Sequence, residues 1–109
     1  VEKVFFLKDF GKFADVAKKL LKGFYTNSSG VLIKIHFGEQ GNKTALFPRD
    51  VKPVVDVLGD WGLKSTFIDT PVAYSSLRNT AKGYESVVKE RGYDKLSSFI
   101  ISDNYVNIK

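Results

Sequence analysis

The sequence holds a single histidine, His36, at the end of an apolar run, and Glu39 follows three positions later. An imidazole titrates near neutrality, so His36 could act as a general acid or base, or as a metal ligand. Glu39 could share a cation with it, and Asp69, closing a later apolar run, could supply a third ligand. One histidine with two carboxylates suits Mn, Fe or Ni; the competing reading is a strand-end histidine bonded to a nearby carbonyl. Asp69 could also hold a ribose hydroxyl, or cap the turn that Asp69-Thr70-Pro71 suggests. Arg49 and Arg78 each stand at the start of a predicted helix, where backbone N–H groups and the helix dipole favour anions. Together they could clamp a phosphate or carboxylate bidentately, unless each pairs with a local acid. Thr70, Tyr74 and Asn79 fall in the same stretches and complete the candidate ligand-binding set.

The elements that must position these residues are legible as hydrophobic patterns. Val4, Phe5, Phe6 and Leu7 form a short apolar run that predicts a buried strand. Phe13, Val16, Ala17, Leu20 and Phe24 recur at three- and four-residue spacing, one face of an amphipathic helix that Asp9 could cap and Gly23 could end. Residues 31–37 are β-branched and almost continuously apolar, as in a central strand covered on both faces. A second helix is predicted from Asp50 as N-cap, with Pro53 in its first turn, a face of Val51, Val54, Val55, Leu58 and Trp61, and a stop at Gly62. Residues 65–68 read as a strand ending at Asp69. A third helix is predicted from Asn79 to Arg91 with Ala81, Tyr84 and Val88 inward. Residues 98–102 and 105–108 around Asp103-Asn104 suggest a terminal hairpin.

This order, β-α-β-α-β-α-β-β, predicts one three-layer α/β/α domain over residues 1–109, with a mostly parallel sheet, right-handed crossovers and helices on both faces. Such sheets bind ligands beyond the carboxyl ends of their strands, beside a topological switch point. The loops after residues 37 and 69 leave the sheet at that edge, and both are long for βα connections. No Gly-x-Gly-x-x-Gly follows the first strand, so the fold is Rossmann-like without a dinucleotide fingerprint; P-loop and nucleophile-elbow motifs are absent too.

Composition narrows the chemistry. With no cysteine, this chain offers no disulfide, thiol nucleophile, Cys-ligated zinc or iron–sulfur ligand; the cofactor stays open, a divalent metal being one candidate. The net charge is +5, but the bases are dispersed, and only three of the 17 are arginine. That favours a solvated surface or a small anionic ligand over nucleic acid. No apolar run approaches the roughly 20 residues of a membrane span, and no signal-peptide pattern opens the chain; the expectation is a cytoplasmic domain without membrane partners. The first residue is Val1, which fits the front part of a longer protein.

The run Ile33-Lys34-Ile35-His36-Phe37-Gly38-Glu39, with Gly41-Asn42, Pro48, Val54-Val55-Asp56, Gly62, Asp69-Thr70, Tyr74, Arg78-Asn79-Thr80 and Gly92-Tyr93, resembles the N-terminal part of the DUF362 family, a group of uncharacterised bacterial and archaeal proteins. The resemblance covers roughly residues 31–108. It implies a longer parent with a second α/β segment and, in many members, a ferredoxin-like Cys module for [4Fe–4S] clusters. The family's recurrent positions map onto His36, Glu39, Asp69, Tyr74, Arg78 and Asn79. Family members tend to carry a longer insertion where this chain has Asp103-Asn104. The family has no settled activity, so no catalytic role is carried over.

The function expected from these readings is binding of a metal or small anionic ligand at the C-terminal edge of the sheet, within a redox or metal-dependent protein. The alternative is a non-enzymatic scaffold that docks a second copy of itself or a further segment, C-terminal or ferredoxin-like. The residues leave open whether any reaction is catalysed.

Overall fold

The computed structural model describes residues 2–25 and 29–104. After a 3-10 turn at Phe10–Lys12 come α1 (Phe13–Leu21), β1 (Gly30–Lys34), α2 (Pro48–Asp60), β2 (Lys64–Asp69), α3 (Ala81–Glu90) and β3 (Ser98–Ile101), with 3-10 turns at Leu77–Asn79 and Tyr93–Lys95. The fold is of the α/β class, the described strands forming a parallel three-stranded sheet flanked by helices. The strand order is β1-β2-β3. Leu32 pairs with Thr66 and Thr66 with Ser98, while Lys34 pairs with Ile68 and Ile68 with Ile100.

The two faces of the sheet are covered unequally. Side chains alternate across a pleated strand, so Ile33, Phe67 and Ile101 share one face. On that face Phe67, Ile101 and the neighbouring Ile35 and Phe37 pack with Tyr84, Val87 and Val88 of α3 and with Tyr93, and Val51 and Val55 of α2 close the same cluster. Phe37 meets Phe67, Tyr84 and Tyr93 edge to face at 4.9–6.0 Å, the arrangement that ring quadrupoles favour. The opposite face carries Leu32, Lys34, Lys64, Thr66, Ile68, Ser98 and Ile100; Leu32 is 64% and Ile100 47% exposed.

The strand expected over 31–37 as central and covered on both faces stops at Lys34 and lies at the edge of the described sheet, with Leu32 exposed; four further features differ from the sequence expectation. Residues 4–7 form no strand, and Val4 and Phe6 are 95% and 84% exposed. An apolar run supplies side chains for a strand but not the partner edge, which is a non-local matter. Phe5, Phe6 and Leu7 instead line an open groove of about 380 Å³ with Phe13, Val16, Lys19 and Leu20. With that strand missing, the described strands run in chain order and no topological reversal falls between them.

The second difference is in α1, which ends at Leu21 and leaves Phe24 outside it and exposed. Asp9 caps the preceding 3-10 turn through the Gly11 N–H at 3.0 Å. Third, α2 begins at Pro48, so Asp50 is its third residue and takes the Phe47 N–H from inside the helix (2.8 Å). Pro53 then falls in the second turn. Fourth, Asn79 belongs to a 3-10 turn and Thr80 is the N-cap of α3, accepting the Gly83 N–H at 3.1 Å. The return strand of the predicted hairpin, 105–108, lies outside the described residues.

Candidate functional site

The loops leaving β1 and β2 meet around Arg78. Its side chain is 1% exposed, and the backbone that carries it is fixed locally, with Ser76 Oγ accepting the Arg78 N–H at 2.9 Å. One terminal nitrogen donates to His36 Nε2 and to the Tyr84 hydroxyl, each at 3.1 Å. The other donates to Glu39 Oε1 at 2.6 Å and to the Tyr74 hydroxyl. The Tyr74 hydroxyl donates to the same Glu39 oxygen at 2.7 Å. Tyr84 donates in turn to Asp69 Oδ2, whose other oxygen receives Lys34 Nζ at 2.7 Å and the Thr70 N–H at 2.9 Å.

The network therefore joins five predicted residues, His36, Glu39, Asp69, Tyr74 and Arg78, across three loops. Thr70 enters it through its backbone alone. Asn79 is exposed, with its N–H bonded to the Ser76 carbonyl at 3.2 Å. Arg49 takes no part: its side chain is 80% exposed, 3.8 Å from Asp50 and stacked over Phe47. The two arginines do not form a clamp, because the guanidinium of Arg78 is buried among its own partners.

The three tentative metal ligands are likewise turned to cations the chain itself provides. Glu39 and His36 both present lone pairs to Arg78, and Asp69 presents one to Lys34. A guanidinium carries only donors, so His36 Nε2 must be the acceptor in that pair and the ring proton sits on Nδ1. The Gly38 N–H, 3.2 Å from Nδ1, then faces a second donor rather than a lone pair. Among the described residues, no group of three or more His, Cys, Asp or Glu side chains is placed to hold a metal ion.

The electrostatics follow from these contacts. The Arg78 hydrogen bond, reinforced by that of Tyr74, draws the Glu39 carboxyl down to about 2. Burial alone would raise Asp69, but the bonds from Lys34, Tyr84 and the Thr70 N–H outweigh it and hold that carboxyl below its usual range. Burial, together with the bond to Asp69, pushes the Tyr84 phenol up to about 12. Arg78, despite its own burial, is held above its ordinary value by Glu39 and Tyr84. The result is an ionised, internally neutralised cluster with one unmet group, the buried Arg78 Nε.

Sequence reasoning missed three members of this neighbourhood. Tyr84 was read as core packing, although a tyrosine at a buried position needs a partner for its hydroxyl. Lys34 is the one cation inside residues 31–37, a signal that it serves the strand end. Arg91 holds the loop that carries Glu39, donating to the carbonyls of Asn42 (2.7 Å) and Leu46 (3.2 Å). Gly38 makes room for it: a Cβ there would stand 2.8 Å from Ala45 Cβ and 3.1 Å from Arg91 Cζ, at a φ of +86°. No sequence pattern announces Arg91, whose hydrogen-bond acceptors are all backbone carbonyls.

Comparison with known proteins found no matching family model, no matching curated protein and no matching solved structure.

Proposed function

We propose that this domain is a non-enzymatic interaction module whose working surface is the open face of its sheet. The observation that carries this reading is the exposure of Leu32 and Ile100 on one face of an all-parallel sheet, since parallel sheets are ordinarily covered on both faces. The closed state of the polar edge supports it. A ligand approaching Arg78, Glu39 or Asp69 would have to break existing ion pairs before making its own.

Two measurements test the reading together. A hydrophobic dye such as 8-anilinonaphthalene-1-sulfonate should bind the cooperatively folded protein at neutral pH, and Leu32→Asp should suppress the signal. In parallel, Mn²⁺, Zn²⁺, phosphate and nucleotides should leave the Tm unchanged. A ligand at 100 times its Kd adds about 2.7 kcal/mol, or roughly 10–20 °C in a domain of this size. A shift of that size that His36→Ala abolishes would move the function to the strand-end cluster and overturn the interaction reading.

A further inference from the structure

The open face has a composition that selects what can cover it. Its apolar residues are Leu32, Ile68 and Ile100, one from each strand, with Ile68 and Ile100 directly paired. Its hydroxyls are already satisfied, Thr66 Oγ1 lying 2.8 Å from Ser98 Oγ. An apolar partner could settle on them without stranding a polar group, the usual obstacle to burying such a surface. Its charged residues are Lys34 and Lys64, at opposite ends of adjacent strands; Lys34 is already paired with Asp69 at 2.7 Å, so Lys64 is the uncompensated charge among the described strand residues of this face.

We infer that the open face binds an amphipathic helix with acidic residues flanking its apolar stripe. This rests on the interaction reading above and deepens it. Three strands about 4.8 Å apart span roughly 10 Å, the diameter of one helix with its side chains. Strands of four to six residues give a platform long enough for about three helical turns. Lys64 discriminates among occupants. Stacking a second copy on this face would bring two surfaces together that each carry an uncompensated Lys64, between chains of net charge +5, whereas an acidic flank on a helix meets Lys64 with opposite charge.

The test uses the whole chain and two side-chain-stapled helical peptides of about 15 residues with the same leucine stripe, one flanked by Glu and the other by Lys. At low salt the Glu-flanked peptide should bind at least about tenfold tighter than the Lys-flanked one, and added salt should narrow the gap. Leu32→Asp should abolish binding of the Glu-flanked peptide, and Lys64→Glu should reverse the preference; both residues are exposed, so an unchanged Tm confirms that each variant folds. Equal binding of the two peptides would overturn the proposal, as would indifference to Leu32→Asp. Self-association abolished by Leu32→Asp would overturn it in favour of a second copy. Dye binding to the face with no binding of the Glu-flanked peptide would overturn the acidic-helix inference and leave the interaction reading standing.

Discussion

Arg78 is the residue on which the strand-end loops depend. Its guanidinium holds four acceptors from three segments of chain, so its loss leaves Glu39 without its cation and His36, Tyr74 and Tyr84 without a donor. Arg78→Met should cost about 3 kcal/mol in urea unfolding, the low end for a broken buried pair because Glu39 is half-exposed. A loss within about 0.5 kcal/mol, the level of an ordinary surface change, would show that the cluster is ornamental. The same contacts fix the acid response. Glu39 and Asp69 both lie below their ordinary values, so folding favours their ionised forms. Their stabilisation is complete above the ordinary carboxyl range and is lost as pH falls, for Glu39 from 4.5 toward about 2. The urea midpoint should fall across that window. Glu39→Gln should start lower at neutral pH and fall less steeply; parallel curves would refute the assignment. His36, Glu39, Asp69, Tyr74 and Arg78 were legible as a group because strand ends and helix starts collect on one edge. That they would neutralise one another was not legible, since residue types do not say which acceptor a guanidinium will reach.

At the scale of elements, the junction between the 3-10 turn and α3 sets where Arg78 points. A Cβ on Gly83 would fall 2.0 Å from the Leu77 carbonyl oxygen, so the turn can sit against the helix only because that position is glycine. Gly→Ala inside a helix ordinarily stabilises by about 1 kcal/mol. Gly59→Ala in α2, where nothing lies within 4 Å, should do so. Gly83→Ala should destabilise instead, by about 1–3 kcal/mol, and the opposite signs should be plain in paired thermal melts. If both variants stabilise, the turn does not depend on this contact. The sequence placed all three helices, and strands at 31–37, 65–68 and 98–102 where the structure has Gly30–Lys34, Lys64–Asp69 and Ser98–Ile101. Besides the strand expected at 4–7, its errors were at element ends: Pro48 takes the first position of α2 and Thr80 caps α3. Asp50 and Asn79 are good caps by type, but capping is decided by which residue's neighbours adopt helical dihedrals.

For the whole molecule, the unequal cover of the sheet should appear as unequal tolerance. Phe67→Ala, under α2 and α3, should cost about 3–5 kcal/mol. Ile100→Asp, on the open face, should change stability by no more than about 0.5 kcal/mol. Chemical denaturation of the two variants checks this, and a large loss for Ile100→Asp would mean that this face is buried in solution.

By itself, the sequence determined the α/β class, the parallel order of the elements and the residues gathered at the carboxyl edge. These follow from local periodicity and from the short reach of βα connections. It could not determine whether residues 4–7 find a partner strand, which face of the sheet is left open, or whether charged groups at the edge face outward or one another. Those outcomes depend on contacts between residues far apart in the chain. Leu32 and Phe67 are equally apolar in sequence, and only the packing of α2 and α3 on one side of the sheet makes one a surface residue and the other core.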